Sequence, residues 1–91
     1  MVEAIRNYRI TPHAEQEMAR RGIDLATVQI VLSAPGQRET VRPGRDVLQA
    51  RVAFGEREYL VRVFVDVDRM PAEVVTVYCM SNVAKYWRPH R

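Results

Sequence analysis

Three stretches in the second half of the chain alternate apolar and polar residues with a two-residue period: Val47–Phe54, Glu58–Val67 and Glu73–Met80. No other feature constrains the fold as tightly. Successive strand side chains point to opposite faces, so the alternation assigns faces residue by residue. Leu48, Ala50, Val52 and Phe54 form one apolar face, with Gln49 and Arg51 opposite. In the next strand Tyr59, Val61, Val63 and Val65 oppose Leu60, Arg62, Phe64 and Asp66. In the last, Val75, Val77 and Cys79 oppose Val74, Thr76, Tyr78 and Met80. Such a pattern predicts an antiparallel sheet with one face covered. The uncovered face is expected to carry Gln49, Arg51, Arg62, Thr76 and Tyr78. Gln37–Arg42, short and polar, reads as an edge strand. The clusters Pro43-Gly44-Arg45-Asp46, Gly55-Glu56-Arg57 and Asp68–Ala72 read as the connections.

Ahead of the strands lie two helix patterns. Thr11 is suited to an N-cap and Pro12 to the first helical position, where a missing N–H costs nothing. Ala14 and Met18 share a face, which Ile23 closes from the turn. Arg20 and Arg21 complement the negative end of the helix, and Gly22 stops it. Asp24 caps a second helix whose apolar stripe is Leu25, Val28, Val31 and Leu32, ended by Ala34-Pro35-Gly36. Ser81-Asn82 caps a last short helix through Val83–Trp87. The expected fold is therefore α+β: two N-terminal helices packed on a four-stranded antiparallel sheet, with a short C-terminal helix, as a single domain over residues 1–91.

Composition narrows the function classes. A chain of 91 residues buries about 60–65% of its unfolded surface, enough for one modest core. No apolar run approaches the roughly 20 residues that span a bilayer, so no membrane role is expected. The first residues lack a hydrophobic signal region, and Cys79 is the only cysteine; both suit a cytoplasmic setting. The excess charge of +3 is carried by the last eleven residues, where Lys85, Arg88 and Arg91 meet no acid. Thirteen of the fourteen cations are arginine, whose planar fork matches phosphate oxygens. The four glycines are scattered singly, which excludes a phosphate-cradling glycine loop.

Several residues carry candidate chemistry. Arg51 and Arg62 fall on one face of adjacent strands, where two guanidiniums clamp a phosphate or, more commonly, pair with carboxylates such as Asp66 or Glu73. Tyr78 and Tyr86 are placed to stack bases or donate a proton, whereas Phe64 and Trp87 are expected in the core. Lys85, Tyr86, Arg88, His90 and Arg91 interleave cations with aromatics, as single-strand nucleic-acid binders do. Glu17 with Arg20 and Arg21 has the spacing of helix-surface ion pairs. Asp66-Val67-Asp68 reads as a turn entry with no His/Cys cluster to make it a metal site. Cys79 falls on the apolar parity as an inert thiol.

His13-Ala14, Met18 and Arg21-Gly22-Ile23, with Thr76-Val77-Tyr78 and Lys85-Tyr86 later on, resemble the motifs of a bacterial and archaeal domain family. Its members open with a His-Ala…Arg-Met…Arg-Gly-Ile helix; Glu17 stands where they carry Arg before the Met. The resemblance implies the RelE/ParE-type toxin fold. It implies in turn a metal-independent ribonuclease of a toxin–antitoxin pair, acting on free or ribosome-bound RNA without a cofactor and held inactive by a small antitoxin. Internal attack by a 2′-OH needs a base, an acid and cations around the phosphorane. His13 is then the candidate base, Arg51 and Arg62 the cations, and Tyr78, Tyr86 or His90 the acid. The alternatives are a catalytically silent domain of the same fold that binds nucleic acid or protein, and a toxin-like protein that blocks a cellular machine through its C-terminal segment.

Overall fold

A three-residue strand, β1 (Tyr8–Ile10), precedes the helices and changes the sheet from the one expected. The computed structural model describes residues 2–88. After β1 come α1 (Pro12–Arg21), α2 (Leu25–Ser33), β2 (Gln37–Arg42), β3 (Arg45–Phe54), β4 (Arg57–Asp66), β5 (Ala72–Met80) and α3 (Val83–Tyr86). The strands form one five-stranded mixed sheet in the order β1-β5-β4-β3-β2. β2 to β5 pair antiparallel, and β1 lies parallel to β5, with Tyr8 opposite Ala72 and Ile10 opposite Val74. Two N-terminal helices on four antiparallel strands is therefore not the architecture. The polar segment ahead of Thr11 is too short to show a period, yet it finds a partner at the edge of β5.

Thr11 welds that edge to α1. Its Oγ1 accepts from the Ala14 N–H at 3.1 Å and donates to the Val74 carbonyl at 2.9 Å. Gly22, at φ 69°, takes the left-handed conformation that ends α1. Asp24 caps α2 by accepting from the Thr27 N–H at 2.9 Å and hydroxyl at 2.6 Å, which brings Thr27 to the buried side. Leu25, expected in the stripe, is 63% exposed instead.

Both helices lie on one face of the sheet. There Ala14, Met18, Ile23, Val28, Val31 and Leu32 pack on Leu48, Ala50, Val61, Val63, Val65, Val74 and Val77. Between β4 and β5 the face parity slips once. Phe64 pairs with Thr76 but Val65 with Val74, so Val75 is the extra residue of a β-bulge. Val74 thus turns into the core with Val77, in place of Val75.

The opposite face is not open either. Val47, Gln49 and Leu60 point away from the helices and are buried, Gln49 to 2% exposure. The segment after β5 folds back over Gln49. Phe64 and Trp87, expected in the core, are half-buried on this second face. Among the described residues no helix is long and apolar enough to cross a membrane.

Candidate nucleic-acid interface

Sheet register builds a polar row across four strands. Gln37 stands opposite Gln49, Gln49 opposite Arg62, and Arg62 opposite Tyr78. The Arg62 Nε donates to Gln49 Oε1 at 2.9 Å, and Gln49 Nε2 donates to Gln37 Oε1 at 2.7 Å. Strand pleating forces this alignment, because residues opposite one another across a sheet share a face.

Residues Tyr86 to Arg88 run across the row as a strap held mainly by its backbone. Gln49 Nε2 donates to the Tyr86 carbonyl at 3.1 Å, and Gln37 Nε2 to the Arg88 carbonyl at 2.8 Å. The Arg88 N–H donates to Gln37 Oε1 at 3.0 Å, and its side chain pairs with Glu39 at 2.8 Å. The Tyr86 ring lies 4.4 Å from the Arg62 guanidinium carbon, and the Trp87 ring 4.8 Å from that of Arg51. The indole edge lies against Gly36: a Cβ there would lie 2.5 Å from Trp87 Cη2.

Beside the strap is a cleft of about 300 Å³, lined by Arg62, Lys85, Arg88 and Glu39 together with Tyr86 and Trp87. Three cations face one carboxylate. Arg62 forms no ion pair among the described residues, and only its Nε donates to a protein acceptor. Among the described residues no buried side-chain nitrogen or oxygen lacks a partner, so its two Nη groups, which bond to none of those residues, are not sealed from solvent by them. Burial lowers the pKa of this guanidinium while Tyr86 and Glu39 raise it; an arginine stays charged through such a shift. A half-buried cation with free donors is what an anion-binding group requires.

The expected site residues are distributed unevenly. Arg51 and Arg62 share the face as the parity demands, but they lie under different rings. Arg51 also approaches Glu58 at 4.0 Å. The carboxylates expected to quench them are engaged elsewhere, Asp66 with Arg45 and Glu73 with Arg9. Tyr78 is exposed, edge-on to Phe64 at 5.8 Å. Lys85, Tyr86 and Arg88 line the cleft. His90 and Arg91 lie outside the described residues.

His13 is exposed in the first turn of α1 and does not line the cleft. Arg21, eight residues on and so about 12 Å along the axis, is the α1 side chain that reaches the second face. It donates to the Val77 carbonyl at 3.1 Å, lies 4.6 Å from the Tyr78 ring centre and pairs with Glu17 at 3.1 Å. Glu17 also pairs with Arg20.

Sequence reasoning placed Gln49 on this face but not its bonds across the strands, and it missed Gln37, Glu39 and Arg21 as members of this surface. Only register could have found them, since no local motif marks a glutamine that bonds across strands. Among the described residues no group of three or more His, Cys, Asp or Glu is arranged to hold a metal. In comparisons with protein families, curated proteins and solved structures, nothing matches this chain.

Proposed function

We propose that this protein is a toxin-like RNA-binding domain that holds a phosphodiester of single-stranded RNA against Arg62. One observation carries the reading: a half-buried guanidinium with no carboxylate partner among the described residues, beside a cleft that it lines with Lys85 and Arg88. Phosphate oxygens accept from such a fork in pairs, and the exposed Tyr78 ring opposite Arg62 offers a surface on which a base can stack whatever its sequence. The resemblance to RelE/ParE-type toxins, with its small antitoxin partner and cytoplasmic setting, belongs to the same proposal.

A second reading, cleavage of the bound strand, is supported by Glu39, the carboxylate that lines this cleft near Arg62. Glu39 would take the 2′-OH proton, the oxygen would attack phosphorus, and the P–O5′ bond would break with the 5′ oxygen taking a proton from water, giving a 2′,3′-cyclic phosphate. His13 has no part in that scheme because it does not line the cleft.

Anisotropy of labelled oligo-uridylate tests the binding reading. Arg62→Ala should weaken binding about tenfold or more, the scale of a lost charge-assisted hydrogen bond, whereas His13→Ala should leave it unchanged. Equal affinity of parent and Arg62→Ala removes Arg62 as the phosphate site. Accumulation of cyclic-phosphate ends by the parent, lost in Glu39→Gln, would establish cleavage.

A further inference from the structure

The strap at Tyr86–Arg88 holds, with its own atoms, the positions that a bound strand needs. Gln37 and Gln49 each spend an amide donor on a strap carbonyl, at 2.8 and 3.1 Å. Those amides continue the row from Arg62 towards β2, so releasing the carbonyls would leave donors on three adjacent strands. The faces of Arg51 and Arg62 are likewise covered, one by Trp87 and one by Tyr86. A phosphodiester's oxygens and the bases beside it offer the same two kinds of contact, hydrogen-bond acceptors and flat π faces.

The element that leads into the strap is weak on its own. α3, which leads into it, has four residues, none of them buried, and its N-cap Asn82 makes no side-chain capping bond. So short a helix has little stability of its own. What holds the strap is its few contacts to the sheet, and elements secured in that way open locally while the core stays folded.

We infer that Tyr86–Arg88 is a displaceable cover over Arg51 and Arg62, and that single-stranded RNA binds by exchanging for it. This rests on the RNA reading of the Arg62 cleft. Gly36 is the latch: the absence of a side chain there admits the edge of the Trp87 indole. A methyl group at that position drives the indole out, because the ring edge is the far end of a rotatable side chain and the backbone of β2 need not move. A cover that is closed most of the time reduces apparent affinity by the fraction of time the site is open.

Trp87 is the only tryptophan, so its emission reports the strap alone. In the free protein, Gly36→Ala should red-shift Trp87 emission and raise its quenching by iodide, with the circular dichroism melt retained. The same variant should bind labelled oligo-uridylate about three- to tenfold more tightly than the parent, as expected when a mostly closed cover is opened. Addition of RNA to the parent should move Trp87 emission the same way. Trp87→Ala, which leaves Gly36 and the sheet untouched, should tighten binding similarly and decides the matter if Gly36→Ala does not fold. Unchanged or weaker RNA binding in variants whose strap is displaced overturns the cover while leaving the RNA reading intact. Absence of RNA binding by parent and variants alike overturns the RNA reading, and the cover with it.

Discussion

At the scale of single residues, the structure separates cations that serve the fold from those free to serve a ligand. Arg45 is of the first kind. Its Nε and Nη2 donate to the two oxygens of Asp66 at 2.6 and 3.2 Å, closing the end of the β3–β4 ladder. That hydrogen bond holds the Asp66 carboxyl below its ordinary value of 3.8. A depressed folded-state pKa gives stability that is fully present above the unfolded value and lost as pH falls through the folded one. Asp66→Asn should therefore lower stability at pH 7 by about 1 kcal/mol, the scale of a partly exposed ion pair. The gap between parent and variant should close on acidification below about pH 4. Thermal melts of both proteins between pH 7 and pH 2 measure this, and a gap independent of pH would remove the ion pair as its cause. Arg62 is of the second kind: only its Nε serves the fold, through Gln49, so its loss should cost binding more than stability.

At the scale of elements, what could be read from the sequence followed from how local each determinant is. α1 and α2 announce themselves through their caps and stops, which lie within four residues of what they terminate. Thr11 shows how much rests on one such residue, since its hydroxyl both caps α1 and ties it to Val74. Thr11→Ala should cost about 1–2 kcal/mol, and Thr11→Ser, which keeps both bonds, well under half of that. Urea titrations give the comparison; equal losses in the two variants would mean that the methyl group, not the hydroxyl, matters. β1 was not legible, because three residues carry no period and their partners, Ala72 to Val74, lie 64 positions away. The bulge at Val75 was invisible for a related reason: parity read along one strand cannot register an extra residue that only the neighbouring strand reveals.

At the scale of the whole molecule, the sheet has two differently made sides. One is a continuous apolar core beneath α1 and α2. The other combines Val47 and Leu60 with the hydrogen-bonded row and the strap that covers it. Alternation along the strands made the first side readable. The second stayed hidden because Gln49 and Arg62 look like solvent-facing residues until the far end of the chain returns to bury them. Arg51 and Arg62 were assigned to the right face, but what lies over them was not. This division predicts that the molecule loses its two sides in sequence. The core side is large and apolar and should melt cooperatively with the strands. The strap is tied by a handful of polar contacts and two ring stackings, and should release at lower denaturant. In guanidinium chloride, Trp87 emission should therefore change before far-ultraviolet circular dichroism does. In Gly36→Ala the early change should be absent, since the indole already stands free. Superimposable transitions in the parent would mean that the strap belongs to the same cooperative unit as the core. An early phase with the same midpoint and amplitude in Gly36→Ala would show that it arises elsewhere than at the Gly36 latch.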